Sequence, residues 1–237
     1  MNKKDYKPKF INDDKITFKT LEVAGIVTAI LGMRNPLNSW GKSDSYWIDN
    51  NGFVLTPFDR GATGEFHIGE DDKELAQRLI SAGAEHCKFL RQIYVSFDAV
   101  LPRYVWSEFD TYHFNTKNSC STMHTLLSAK NPLTTDQFVY CIGDSDWLEH
   151  SVSRINYLAK QYRGEYPTQM DKADIKRRAK QILPEGFLQR RTVSTSYAEL
   201  RNMYFQRRNH ALSEWNTKFT EWIKTLPYAK ELIMYEK

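Results

Sequence analysis

Residues 92–112 read QIYVSFDAVLPRYVWSEFDTY. From Gln92 to Ala99, the apolar Ile93, Val95, Phe97 and Ala99 alternate with Tyr94, Ser96 and Asp98, the period of two that sends successive side chains to opposite faces of a strand. Pro102 follows where its fixed φ and missing N–H are tolerated, at the opening of a helix, and Val105, Phe109 and Tyr112 then fall on one helical face. Strand, short turn and helix form the unit from which the rest of the chain is read.

Upstream, the charged stretch Met1–Lys15 reads as a flexible N-terminal tail, and the folded part is expected to begin near Ile16. Thr20–Leu31 reads as a helix stopped by Gly32 and Pro36, and Tyr46–Leu55 as two short strands around the Asn50-Asn51-Gly52 turn. The glycines between Asp59 and Asp72 point to a loop. Asp71 and Asp72 then open a short amphipathic helix carrying Leu75, Leu79 and Ala82, ended by Gly83.

Downstream, Leu148, Val152, Ile155, Ala159 and Tyr162 make a helical stripe, and Ile175, Ala179 and Ile182 a shorter one on a basic helix before Pro184. Ser196 and Glu199 have capping-box spacing ahead of Tyr197, Leu200 and Tyr204, and Leu212, Trp215, Phe219 and Trp222 form a last stripe before Pro227. Helices and strands do not alternate regularly, so the fold class is α+β: a single domain over 16–237, with a central, mostly antiparallel sheet flanked by helices and a helical C-terminal third.

The chain has 237 residues, of which 41% are hydrophobic, enough for a sizeable core without disulfides or metals. Its formal charge of +4 suits a phosphate-bearing ligand but falls short of a dedicated nucleic-acid binder. Cys87, Cys120 and Cys141 are odd in number and lack a C-x-x-C pattern, which argues against a disulfide framework or a zinc site. The apolar run Val23–Leu31 is about half the roughly 20 residues that span a bilayer, so no membrane partner is expected. A soluble, cytoplasmic protein fits these features.

The segment FDAVLPRYVWSEFDTYHFNTKNSCSTMH, 97–124, resembles the signature region of flavin-dependent thymidylate synthases. There a strand leads through a proline into a helix ending in Arg-His-Arg, followed by Asn-Glu-x-Ser-x-Arg-Tyr. Pro102, Asn118 and Ser121 hold matching places, whereas Thr111, Tyr112 and His113 stand at the Arg-His-Arg positions, Ser119 replaces the glutamate, and Met123 and His124 replace the final Arg-Tyr. LPEGFLQRR, 183–191, is similar to a second block, with Arg190 on its nucleotide-contacting arginine. LRNMYFQRRNHALSEW, 200–215, matches a third at Asn202, Arg207, His210, Ala211 and Glu214, where Arg207 and Arg208 compete for the substrate-binding place and Arg207 is preferred. LAQRLISAGAEHCKFLRQ, 75–92, resembles the helix and turn that precede the signature strand.

The resemblance implies reductive methylation of dUMP to dTMP, with FAD as cofactor and methylenetetrahydrofolate and NADPH as co-substrates. It implies a homotetramer with active sites between subunits. Arg190, Arg207 and Ser121 are then substrate-binding residues, with Ser121 also catalytic, and His113, Asn118, Asn202 and His210 are cofactor-binding residues. Alternatives in view are a related flavin- and folate-dependent change such as hydroxymethylation of a pyrimidine deoxynucleotide monophosphate, or a non-catalytic nucleotide or nucleic-acid binding protein on the same scaffold.

Each residue also has a structural reading. Arginines on a helix commonly face solvent. Ser121 and Asn118 suit a turn, Cys120 an inert thiol, and His210 with Glu214 a local hydrogen bond rather than a metal site. Asp98 and Glu108 read as ordinary polar-face residues, and Trp215, Phe219 and Trp222 as core.

Overall fold

The computed structural model describes residues 8–58, 64–127 and 132–236. The chain opens with β1 (Phe10–Ile11), β2 (Thr17–Ala24), α1 (Ile26–Gly32) and the strands β3 (Tyr46–Asp49), β4 (Val54–Leu55) and β5 (Gly64–His67). Then come α2 (Glu70–Ser81), β6 (Tyr94–Pro102), α3 (Arg103–Phe109), β7 (Asn115–Ser119), α4 (Thr122–Thr125), β8 (Tyr140–Cys141), α5 (Ser145–Arg163) and α6 (Lys172–Gln181). β9 (Leu188–Ser196), α7 (Tyr197–Arg207), a π-helical stretch (Glu214–Phe219), α8 (Thr220–Lys224) and α9 (Ala229–Leu232) complete it. The fold is α+β with a helical C-terminal third, as the sequence pattern requires. Among the described residues no helix is long and apolar enough to cross a membrane.

The strands form sheets in the orders β2-β6-β9-β7, β4-β3-β5 and β1-β8. β6 and β9 run antiparallel. Going up β6 from Ile93, whose carbonyl accepts from Tyr197 N–H, the partners of Ser96, Asp98 and Arg103 are Ser194, Thr192 and Phe187 in descending order.

The chain divides into two compact units: Met1–Phe18, Asp98–Thr111 and Lys117–Thr192 form the first, and Lys19–Phe97, Tyr112–Thr116 and Val193–Lys237 the second. The first unit's core gathers Leu148, Val152, Ile155, Leu158 and Ala159 of α5 against Ile175 and Ala179 of α6, with Phe138 and Leu183. The stripes at helical spacing are thus the buried faces, and each large apolar side chain removed from water contributes about 1.5–3 kcal/mol. In the second unit Phe97 lies 4.5 Å from Trp222, whose indole N–H donates to Thr20 Oγ1 at 3.0 Å. Trp215, Phe219 and Trp222 are buried as expected, but Trp215 and Phe219 sit on the π-helical stretch and Trp222 on α8.

Four local expectations are met differently. Thr20–Ala24 belongs to strand β2, and the helix begins only at Ile26. The break is at Gly25, whose φ of 87° and approach to Gln92, where a Cβ would meet the carbonyl oxygen at 2.1 Å, exclude a side chain. Within the expected loop 59–72, residues 59–63 lie outside the described residues, while Gly64–His67 forms β5 against β3. Pairing across the sheet decides this, with Tyr46 stacked on His67 at 5.1 Å and Trp47 against Phe66 at 5.2 Å. The helix after Pro102 stops at Phe109, leaving Tyr112 beyond it, though buried. Of the expected tail, residues 1–7 lie outside the described residues, and Phe10 and Ile11 pair with Cys141 and Tyr140.

The start of α2 holds a buried ion pair. Asp72, fully buried, accepts from Arg34 Nε at 2.5 Å and from the hydroxyls of Ser43 and Ser45 at 2.6 Å each. Asp44 caps the same helix, accepting from the N–H groups of Asp71 and Asp72 at 3.0 and 3.1 Å. Asp72→Ala leaves the Arg34 charge buried without its carboxylate, held only by the Ser39 carbonyl at 3.4 Å. The expected loss is about 3–5 kcal/mol of stability in urea denaturation, and a midpoint within experimental error of wild type would refute this account.

Candidate functional site

The second unit encloses a cavity of about 990 Å³. Its wall is built from the turn after α2, the start of β6, residues 113–116, the end of β9 and one side of α7. Gly83 ends α2 at a φ of 107°, which turns the chain along the cavity. Ser196 caps α7 by accepting from Glu199 N–H at 3.4 Å, and Tyr197 N–H donates to Ile93 O at 2.9 Å, tying the helix start to β6. Tyr197 is itself fully buried and donates its hydroxyl to Pro227 O at 2.7 Å; burial pushes its phenol well above the ordinary tyrosine range.

The lining is mainly apolar, with polar and charged groups from Arg91, His113, Asn115, Ser194 and Asn202 set into it and the Tyr94 ring beside them. Two expected cofactor residues, His113 and Asn202, therefore share one wall. Arg201 also lines the cavity, but its guanidinium donates to the carbonyls of Ile233 and Tyr235 at 2.8 and 2.6 Å. Desolvation lowers its pKa, against the opposing influence of Cys87 and Glu236. Arg91 is the lining cation left facing outward, exposed and with no ion pair among the described residues.

Arg207 and Arg208 have separate fates. Arg208 makes a two-pronged bond to Glu236 at 2.6 and 3.0 Å. Arg207 instead packs its guanidinium 4.6 Å from the Trp215 ring and donates Nε–H to the Tyr112 hydroxyl at 2.7 Å. That hydroxyl donates in turn to Gln206 Oε1 at 3.1 Å, and Gln206 Nε2 donates to Asn202 Oδ1 at 2.8 Å. One chain of hydrogen bonds thus joins Arg207 to the cavity wall through Tyr112 and Gln206, and nothing in the sequence singles out Gln206. His210 stands beside it, edge-on to Trp215 at 6.5 Å, with Nδ1 accepting from Leu212 N–H at 3.2 Å.

The first unit holds the other expected residues. Arg190 extends from β9 with two-thirds of its side chain exposed and pairs with the Asp98 carboxylate, which also accepts from Thr192 Oγ1 at 2.5 Å. Asp98 is buried and positions this arginine, so it is more than a polar-face residue. The β6 period gives no sign of this, since it puts Asp98 on the polar face with Tyr94 and Ser96, and only its buried place against Arg190 and Thr192 shows the role. Cys120 N–H donates to Arg190 O at 2.9 Å, which brings Ser121 next to the β9 ladder. Ser121 precedes α4, accepting through its carbonyl from Thr125 Oγ1 at 2.8 Å, and Asn118 is exposed on β7. Among the described residues no three His, Cys, Asp or Glu side chains gather as a metal-ligand set.

No family model and no curated protein matches the sequence. Two solved structures of flavin-dependent thymidylate synthase from Helicobacter pylori, both with FAD and dUMP, superpose with TM-scores of 0.63 and 0.64 at 19% identity, covering 92% of this chain and 97% of theirs. The fold is that of flavin-dependent thymidylate synthase. A UMP/dUMP methylase from Streptomyces cacaoi, bound with 5-Br dUMP, shares it at a TM-score of 0.55 and 14% identity over 92% of this chain and 94% of that one. At these identities the likeness is one of fold, and side-chain roles rest on the geometry above.

Tyr112→Phe removes the acceptor of Arg207 Nε and the donor to Gln206 while keeping the ring. A loss of about 1–3 kcal/mol is expected in chemical denaturation. If Arg207→Ala is then as costly in the Tyr112→Phe background as alone, the two residues are not coupled and this network is wrong.

Proposed function

We propose that the chain is an FAD-dependent enzyme that methylates dUMP to dTMP, taking the carbon from methylenetetrahydrofolate and the reducing power from NADPH. The observation that carries the reading is the cavity wall: on a thymidylate synthase fold, His113 and Asn202, which family resemblance assigns to the flavin, line one cavity of about 990 Å³. Its size lies at the upper end of small-molecule sites, as a dinucleotide requires.

The residues present fit the cofactor chemically. Arg91 offers a cation for a diphosphate, Tyr94 a flat ring, and Asn115, Ser194, Asn202 and Gln206 offer amides and a hydroxyl for a heterocycle's edge. His113, Asn118, Asn202 and His210 are the cofactor-binding residues of this reading. The bound flavin supplies hydride chemistry, and the protein's task is binding, orientation and charge. Arg190, aligned by Asp98, and Arg207, held against Trp215, supply guanidinium groups for the nucleotide phosphate, and Ser121 supplies a hydroxyl beside the substrate. Residues 16–237 act as one synthase-like domain in a cytoplasmic homotetramer whose active sites lie between subunits.

A second reading keeps fold and flavin and changes the product, for example to hydroxymethylated deoxyuridylate. It is favoured by Thr111, Tyr112 and His113 standing in place of Arg-His-Arg and by the fold shared with a UMP/dUMP methylase. Product mass separates the two.

The purified protein is expected to be yellow or to take up added FAD, and to release dTMP from dUMP when given methylenetetrahydrofolate and NADPH. Arg190→Ala is expected to raise KM for dUMP tenfold or more, the loss of a charge-assisted contact of about 1.5–3 kcal/mol. A colourless protein that stays free of flavin with excess FAD rules the proposal out.

A further inference from the structure

The first unit carries a second cavity of about 740 Å³ that the proposed chemistry does not use. Its wall is strongly basic, with Lys172, Lys176, Arg177 and Lys180 of α6, and it is completed chiefly by Tyr162 of α5 and the exposed Met123. The three lysines recur every four residues, so they form a row along one side of the helix with steps of about 6 Å. No carboxylate lies on this wall, and among the described residues none pairs with these four cations.

The charges are gathered rather than dispersed. The ammonium groups of Lys172 and Lys176 both stand 5.4 Å from the centroid of the Tyr162 ring. Lys176 and Lys180 are half-buried, which reduces the solvent screening of their mutual repulsion. An ordinary solvated basic face has its cations spread on a convex surface or interleaved with acidic residues. Here they line a concavity within the roughly 300–1,000 Å³ range of small-molecule sites, with an aromatic ring as their counterweight.

We propose that this groove binds a triphosphate group, carried by a nucleoside triphosphate or free as inorganic triphosphate. A single phosphate, at about −1.5 to −2 charges, neutralises only half of four cations, and a row needs phosphates linked in series. The Tyr162 ring is occupied by two lysines and does not serve as a stacking platform, so recognition runs through the phosphates. A nucleoside's contacts fall to Met123 and to the Gln181 amide on the same wall. The groove lies within the first unit and none of its residues is a flavin or dUMP candidate, so this proposal stands or falls independently of the proposed enzyme activity.

The test is titration calorimetry on the full chain at low salt without divalent cations, using ATP, inorganic triphosphate and a twenty-residue oligothymidylate as probes. Wild type is expected to bind ATP or inorganic triphosphate with affinity that falls as salt rises, and the double variant Lys176→Glu/Lys180→Glu to bind at least tenfold more weakly with an unchanged melting curve. Tighter binding of ATP than of triphosphate identifies a nucleotide ligand, and equal binding a free triphosphate. If charge reversal disturbs folding, Lys176→Gln/Lys180→Gln carries the same expectation. Absence of binding by both triphosphates, equal binding by variant and wild type, or an oligothymidylate that binds far more tightly than either small probe would each overturn the proposal.

Discussion

The antiparallel pairing of β6 with β9 is the constraint on which the rest depends. It sets Thr192 and Arg190 against Asp98 in the first unit, and Ser194 opposite Ser96 in the second. It also starts α7 at a fixed point, because Tyr197 N–H bonds Ile93 O. A slip of one residue in this register turns every side chain of β9 over, which would bury Arg190 and expose Val193. The alternation of a buried Val193 and Thr195 with exposed Arg190, Thr192 and Ser194 makes that slip costly, so the same burial that stabilises the sheet also aims the arginine.

A second layer of specification comes from rings and guanidinium groups. Trp215 lies fully buried between Phe219 and the Arg207 guanidinium, 5.4 and 4.6 Å away. The planar cation keeps its charge over the ring face and donates one N–H to Tyr112. A lysine, compact and without a flat face, would hold neither contact in the same way. Thr111 and His113 stand on either side of Tyr112, which organises an arginine from elsewhere in the chain.

Features set by short-range periodicity were legible in the sequence. The strand 94–102, the helix 70–81 and the long helix 145–163 each have a repeated pattern that burial explains directly. β5 was not, because a four-residue segment between glycines becomes a strand only through its partner β3. β2 was mistaken for helix because its run Leu21-Glu22-Val23-Ala24 joins an apolar helix without a visible break, and Gly25 acts through contact with Gln92 rather than through local preference. At the site, Arg190 and Arg207 rest on the resemblance, and what sets Arg208 apart from Arg207, its bond to Glu236, lies 28 positions further along the chain. The pairing of Asp98 with Arg190 and the bond from Arg207 to Tyr112 are illegible for the same reason, since they lie in what faces these residues across the fold.

The grip of Arg201 on the C-terminal segment has a bearing on how this protein varies in evolution. Its guanidinium holds the carbonyls of Ile233 and Tyr235, atoms that every amino acid supplies. Selection acting through this contact sees the path of the backbone and is blind to the letters written on it. Side chains at 233 and 235 are then free to drift as far as their own packing allows, the fully buried Ile233 less than Tyr235, while an insertion or deletion there shifts both carbonyls and opens one wall of the cavity.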